Sequence, residues 1–238
     1  MTRGPAPDRT LRYAHVAFDL DGTLIDSRAD LAAATNHVLR TFGLPEIPPR
    51  SVYELVGEGA RRLVERALGP ARAADVDEGV RRFLDFYGEH LLDATVLYPG
   101  VTDALDVLAA AGVALTVCSN KPEGYSRTVL AGLGVLMRFR ALIGGDSLST
   151  RKPDPSGMAE LMRATGADRG ATLLVGDSHV DVATAANAGV AFCGVAWGLD
   201  PERLRACNPA LVIESMDELV AIVLGDQTSR TGRASTAS

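Results

Sequence analysis

Residues 15–23 read HVAFDLDGT, and the organisation of the whole chain follows from how this stretch divides. His15 to Leu20 is a short apolar run ending in an acidic cluster, which predicts a buried strand. Asp19-Leu20-Asp21-Gly22-Thr23 then sets two carboxylates and a hydroxyl at that strand's carboxyl end. Four further runs have the same character: Val113 to Cys118, Arg140 to Ile143, Ala171 to Val175 and Ala191 to Val195. Amphipathic stretches with helical spacing lie between them, at Val101 to Ala111, Glu123 to Leu133, Pro155 to Thr165 and Val180 to Ala188. Strand and helix alternate through short loops of Gly, Asp, Ser and Pro. This pattern predicts an α/β fold with a doubly wound, Rossmann-like, mostly parallel sheet. Leu211 to Ile213 offers a last strand, and Met216 to Leu224 a last helix.

From about Ser27 to Leu97 the rhythm breaks, with no convincing strand. Helical patterns occur instead at Arg28 to Thr41, Ala60 to Leu68 and Val76 to Leu92, separated by PEIPP and by the GPARAAD turn. An all-helical block after the first strand is most simply a small inserted cap domain, and Pro99-Gly100 marks the return to the sheet. The expected division is a core of residues 1–26 and 98–224, a cap of 27–97, and a disordered tail of 225–238 rich in Ser, Thr and Gly.

The chain has 238 residues, 47% of them apolar, enough for a substantial core. No run approaches the roughly 20 apolar residues of a membrane span, and Met1 to Arg12 is polar and proline-containing. A soluble, cytoplasmic protein is expected. A net charge of -6 argues against nucleic-acid or anionic-lipid partners. Cys118, Cys193 and Cys207 are too few and wrongly spaced for a disulfide framework or a zinc site, and the first two read as buried small hydrophobes. Apolar helix faces suit either a monomer or a homodimer. Of the 24 basic residues only two are lysines, Lys121 and Lys152, and each precedes a proline. A compact ammonium, rather than a planar guanidinium, is therefore expected to matter at one site at least.

Polar clusters recur at the predicted carboxyl ends of strands, where open parallel sheets bind ligands. Asp19 to Thr23 is followed by Ser119-Asn120-Lys121-Pro122, then Arg151-Lys152-Pro153-Asp154-Pro155, then Gly176-Asp177-Ser178-His179-Val180-Asp181. Four acids in one crevice repel each other unless a cation is present, and a hard, all-oxygen set suits Mg²⁺. A carboxylate beside such a cation can attack a phosphoryl group, and a neighbouring acid can protonate the leaving oxygen and then activate water. Taken singly, Asp-Gly is an ordinary turn, Lys-Pro an ordinary loop, and Asp177 and Asp181 an ordinary helix start. Their order, each after a strand, is what chance does not explain.

FDLDGTLIDS, CSN, RKPDP and GDSHVD resemble, in order, the four motifs of the haloacid dehalogenase superfamily, and the likeness spans about Ala14 to Val195. The resemblance implies a Mg²⁺-dependent phosphomonoester hydrolase working through an aspartyl-phosphate. It implies Asp19 as nucleophile and Asp21 as general acid and base. Thr23, Ser119 and Asn120 would bind the phosphate and Lys152 would balance charge. Asp19, the Asp21 carbonyl and Asp177 would hold the metal, with Asp181 supporting them and orienting Lys152. Asp21 sits where dehalogenases proper lack an aspartate, which points to phosphoryl transfer.

The cap looks like the superfamily's first type, a lid for small substrates. Val56-Gly57-Glu58-Gly59 resembles the loop that the phosphoglycolate phosphatases direct at their site, and LYPGV, CSNKPE, GGDSLSTRKPDP and AWG match that subfamily too. The substrate expected is a small phosphorylated metabolite, 2-phosphoglycolate first. Phosphosugar or nucleotide phosphatase, pyrophosphatase, β-phosphoglucomutase and a non-catalytic metabolite binder are the alternatives. Gly57, Glu58, Gly59, Arg61 and Arg62 are the expected cap specificity residues, with one of the two arginines meeting a substrate carboxylate. His179 reads as a surface residue of a first helical turn, while for Lys121 a solvated loop position stands as the alternative to a role at the site. Leu199 departs from the aromatic expected after AWG.

Overall fold

The computed structural model describes residues 11–225. Residues 1–10, part of the polar start, and 226–238, nearly all of the expected tail, lie outside the described residues. Six strands form one parallel sheet: β1 (His15–Phe18), β4 (Ala114–Cys118), β5 (Ala141–Ile143), β6 (Thr172–Gly176), β7 (Ala191–Val195) and β8 (Val212–Ile213). Their order is β5-β4-β1-β6-β7-β8. The chain moves outward from β1 through β4 to β5, then returns to the other side of β1 for β6. The sheet therefore reverses its winding at β1, and the crevice above that point is where ligands bind in such sheets.

The three central strands are buried along their whole length, as a parallel sheet covered on both faces requires. Their residues alternate between two cores. Val16, Phe18, Leu115, Val117, Leu173 and Val175 face the larger one, which they share with α5 (Val101–Ala110), α6 (Glu123–Gly132) and α10 (Met216–Val223). Ala17, Cys118 and Leu174 face a smaller core with Met158 and Leu161 of α7 (Ser156–Thr165) and Ala185 and Ala188 of α8 (His179–Ala188). The alanines let these helices approach the sheet closely. A short helix, α9 (Pro201–Ala206), follows β7. Cys118 and Cys193 are buried, unbridged members of this packing, as expected.

Register sets the site. Phe18 pairs with Val117 on one side and with Val175 on the other. The residues that follow, Asp19, Cys118-Ser119 and Gly176-Asp177, leave the sheet at one level.

Two short strands, β2 (Ile25–Asp26) and β3 (Val96–Leu97), pair antiparallel where the chain leaves and re-enters the core. Between them lie α1 (Arg28–Thr41), α2 (Pro49–Tyr53), α3 (Ala60–Leu68) and α4 (Val76–Glu89), with a 3₁₀ turn at Pro70–Asp75. The sequence reading found no strand in this segment, and β3 corrects it: two residues are too few to show a period. The expected separator PEIPP is likewise only partly a loop, because Pro49 opens α2 at a position where its missing N–H costs nothing. The two crossings are tied by Asp30 of α1. Its carboxylate accepts from Ala94 N at 3.0 Å, Thr95 N at 2.9 Å and Thr95 Oγ1 at 2.6 Å. Among the described residues no helix is long and apolar enough to cross a membrane.

Candidate active site

Asp19 follows β1 directly, and its amide is fixed by Val175 O at 2.8 Å. It is 7% exposed, at the floor of a small cavity of about 70 Å³ between the sheet and the helical cap. Asp19, Asp177 and Asp181 are all buried and offer carboxylate oxygens within 4.8 Å of one another. Lys152 Nζ bridges two of them, donating to Asp19 Oδ1 at 2.6 Å and to Asp181 Oδ1 at 2.6 Å. Burial works against this ammonium, but Asp181 and Asp19 outweigh it and hold the lysine pKa above its ordinary value.

The remaining oxygens divide by partner. Asp181 Oδ2 accepts from Ser178 N at 3.1 Å and Ser178 Oγ at 2.5 Å, closing a capping box on α8. Both oxygens of Asp181 are thus occupied, one orienting Lys152. Asp177 Oδ2 accepts from Leu199 N at 2.7 Å. Among the described residues no donor reaches Asp19 Oδ2 or Asp177 Oδ1.

The unclaimed oxygens fit a hard divalent cation. With protein groups alone, burial pushes Asp19 up to about 7, the Lys152 ammonium only partly opposing it. Burial, then Asp19 and Asp181, raise Asp177 well above the carboxylate range. A cation would offset this repulsion. The backbone is also shaped around Asp177: a Cβ on Gly22, which has φ +88°, would lie 2.2 Å from Asp177 Oδ2. One on Gly198 would lie 2.3 Å from Asp177 Cβ. The turn of DLDGT needs its glycine for this close approach as well as for its backbone angle.

Asp21 lines the cavity two residues beyond Asp19. Its Oδ1 accepts from Ser27 Oγ at 2.6 Å and from Lys121 Nζ at 2.8 Å. Lys121 also donates to Tyr87 OH of α4 at 2.5 Å. The side chain of Lys121 is 4% exposed, which decides against the solvated-loop alternative: a buried ammonium persists only where anions and dipoles surround it.

Ser119 and Asn120 line the cavity after β4. Asn120 Nδ2 donates to Gly57 O of the cap at 3.0 Å and to Lys152 O at 3.1 Å, joining the cap to the loop after β4 and the loop that carries Lys152. Thr23 is wholly buried and is not among the lining residues. Its carbonyl accepts from Trp197 Nε1 at 3.2 Å.

On the cap, Gly57 and Gly59 line the cavity beside Ala60, Leu63, Phe83, Leu84 and Tyr87. Arg61 and Arg62 do not line it. They are more than half exposed and paired with Asp77 at 2.6 Å and Glu65 at 2.7 Å. Glu58 instead engages Arg66 and lies 3.9 Å from His179 Nε2. His179 is part-buried and lines the cavity, unlike the surface residue expected. Arg203 of α9 lines it as well, and among the described residues makes no ion pair. Arg203 lies outside all four motifs, so no local pattern marks it.

A buried carboxylate paired with a lysine, further acids beside it and a cavity roofed by helices at the winding reversal of the sheet suit an α/β hydrolase. Residues 16–195 match the model of the haloacid dehalogenase-like hydrolases. The chain is 39% identical over 212 residues to a phosphoglycolate phosphatase of Rhodospirillum rubrum, covering 86% of this chain and 88% of that protein. A phosphoglycolate phosphatase of Pseudomonas putida is 41% identical over 224 residues, with 91% and 81% covered. A crystal structure described as a predicted phosphoglycolate phosphatase of Haemophilus somnus superposes with a TM-score of 0.82 at 30% identity, over 89% of this chain and 98% of that one. The chain belongs to the haloacid dehalogenase-like hydrolases, and it is a phosphatase of that superfamily.

Proposed function

We propose that the protein hydrolyses a small phosphomonoester, 2-phosphoglycolate first, through an aspartyl-phosphate on Asp19. The observation that carries this reading is the arrangement of Asp19: buried, held by Lys152 on one oxygen, its other oxygen unclaimed, with Asp21 two residues away. Asp19 attacks phosphorus as the bond to the ester oxygen breaks. Asp21 gives its proton to that departing oxygen. As a carboxylate it then takes a proton from the water that hydrolyses the acyl phosphate. Ser119 and Lys152 meet the non-bridging oxygens, and Asp181 keeps Lys152 in place.

Asp19, Asp177 and the carbonyl of Asp21 would hold Mg²⁺, which supplies charge neutralisation at the phosphoryl group. Residues 27–97 act as a lid on the core of 1–26 and 98–224, and the ring of Leu63, Phe83 and Leu84 excludes water during turnover. Arg203 is the cation available to a second anionic group of the substrate, which suits a carboxylate-bearing ester. The relatives' names support 2-phosphoglycolate. We place the enzyme in the cytoplasm.

The test is turnover of a panel of phosphate esters with Mg²⁺, by the wild type and by Asp19→Asn. Preference for 2-phosphoglycolate, abolished by the substitution and by EDTA, is the expected result. A preference for sugar phosphates or nucleotides removes the substrate assignment. Turnover persisting in Asp19→Asn, with deamidation excluded by mass, removes the nucleophile.

A further inference from the structure

The chemistry above uses Lys152 and leaves the chain's other lysine without a task. We propose that Lys121, clamped by Tyr87 of the cap, is a positioning residue that aims Asp21 at the leaving oxygen and does so only when the cap is shut. The inference rests on the phosphatase reading, in which Asp21 is the proton donor.

The geometry is specific. Lys121 Nζ bonds Asp21 Oδ1 at 2.8 Å and Tyr87 OH at 2.5 Å, and it sits 4.6 Å from the centre of the Tyr87 ring. Ser27 Oγ reaches the same Asp21 oxygen at 2.6 Å. Two donors on one oxygen stop the carboxylate from exchanging its ends. Among the described residues nothing bonds Oδ2, and Asp21 lines the cavity, so Oδ2 is the oxygen left for a ligand.

The three partners come from different parts of the chain. Lys121 belongs to the core loop after β4, Tyr87 to α4 of the cap, and Ser27 to the crossing between them. Tyr87 is itself fixed, 2% exposed, with Phe83 at 5.5 Å and Tyr125 at 6.1 Å between ring centres. Lifting α4 away would take from Lys121 one of its two partners. A lysine free to move would hold Asp21 less firmly, and the proton would be presented at a less productive angle. Cap closure and acid catalysis are thereby joined through one ammonium group.

The experiment exploits leaving-group chemistry. An alkyl ester such as 2-phosphoglycolate expels a strongly basic alkoxide and needs a proton donor. The p-nitrophenolate of p-nitrophenyl phosphate departs without one. The quantity kcat/KM reports events up to cleavage of the ester bond and is blind to the later hydrolysis of the aspartyl-phosphate. Tyr87→Phe keeps the ring and removes the hydroxyl. The ratio of kcat/KM for the alkyl ester to that for the aryl ester is expected to fall about tenfold in this variant. That is a part of the roughly 10²- to 10⁴-fold that a general acid supplies. Lys121→Met is expected to lower the ratio at least as far, its folding being checked by thermal melting. An unchanged ratio in Tyr87→Phe, whether or not both rates fall together, overturns the inference while leaving the phosphatase reading intact. A wild type that turns over neither ester overturns both.

Discussion

On the core side of the cavity, charged side chains are held by one another. Lys152 lies between Asp19 and Asp181, and Lys121 beside Asp21. The cap side presents Leu31, Leu63, Phe83 and Leu84, with the backbone of Gly57 and Gly59. The contrast separates two tasks. An ionic lattice of buried, mutually dependent charges tolerates no loss, because each partner removed strands another in a poor solvent. An apolar roof works by shape and by excluding water, and its apolar parts, unlike the Tyr87 hydroxyl, are replaceable so long as volume is kept. On the proposed reading, the reaction chemistry then rests on the core wall, with Tyr87 as the one cap side chain tied into it, and substrate preference on the rest of the cap and the rim.

The comparison is broken most severely at Lys152. Lys152→Ala leaves Asp19 and Asp181 buried without their cation. We expect a loss of about 3–5 kcal/mol of stability by urea unfolding, and turnover reduced more than about 100-fold. A variant as stable as the wild type would show that the lattice is not cooperative.

A smaller effect separates the active ends of the strands from their opposite ends. There the polar contacts are neutral: His15 lies buried between Thr116 Oγ1 at 2.8 Å and Thr172 Oγ1 at 3.2 Å, and burial lowers its pKa to about 4. The unfolded chain takes up this proton near pH 6.5 and the folded protein resists it until about 4. In that window the unfolded state binds more protons, so stability falls as pH drops. The penalty relative to a His15→Gln variant should reach at most about 3 kcal/mol, and urea midpoints of both proteins from pH 7.5 to 5 measure its onset. Parallel curves would mean that His15 contributes nothing to acid sensitivity.

The smallest effect sharpens the cap side. Arg203→Ala should raise KM for 2-phosphoglycolate about tenfold, while an Arg61→Ala, Arg62→Ala double variant should stay within about twofold. Initial rates over a substrate range distinguish the two. The reverse ranking would return the carboxylate contact to α3.

The core wall was legible in the sequence because its residues follow their strands directly. A strand end is readable from local pattern, and parallel register then brings Asp19, Ser119 and Asp177 together without further information. Lys121 shows where this stops. Its burial depends on Tyr87, a residue of another helix with no motif of its own, so the loop sequence could not separate a solvated lysine from a clamped one. Arg61, Arg62 and Arg203 are similar: helix phase and cap docking decide which guanidinium meets the cavity, and neither is written in neighbouring residues. Leu199 illustrates the opposite case. Its contribution to Asp177 is a backbone N–H, so an unexpected side chain leaves the contact in place.

The bond from Asn120 Nδ2 to Gly57 O has a consequence for how such a lid diversifies. The core recognises the cap loop there through a peptide carbonyl, a group every residue carries. Side chains around it, at Glu54, Val56 and Ala60, can change by mutation without dismantling the dock. Descendants of one ancestral scaffold can thus explore new metabolites at little structural risk, with the catalytic floor inherited unaltered.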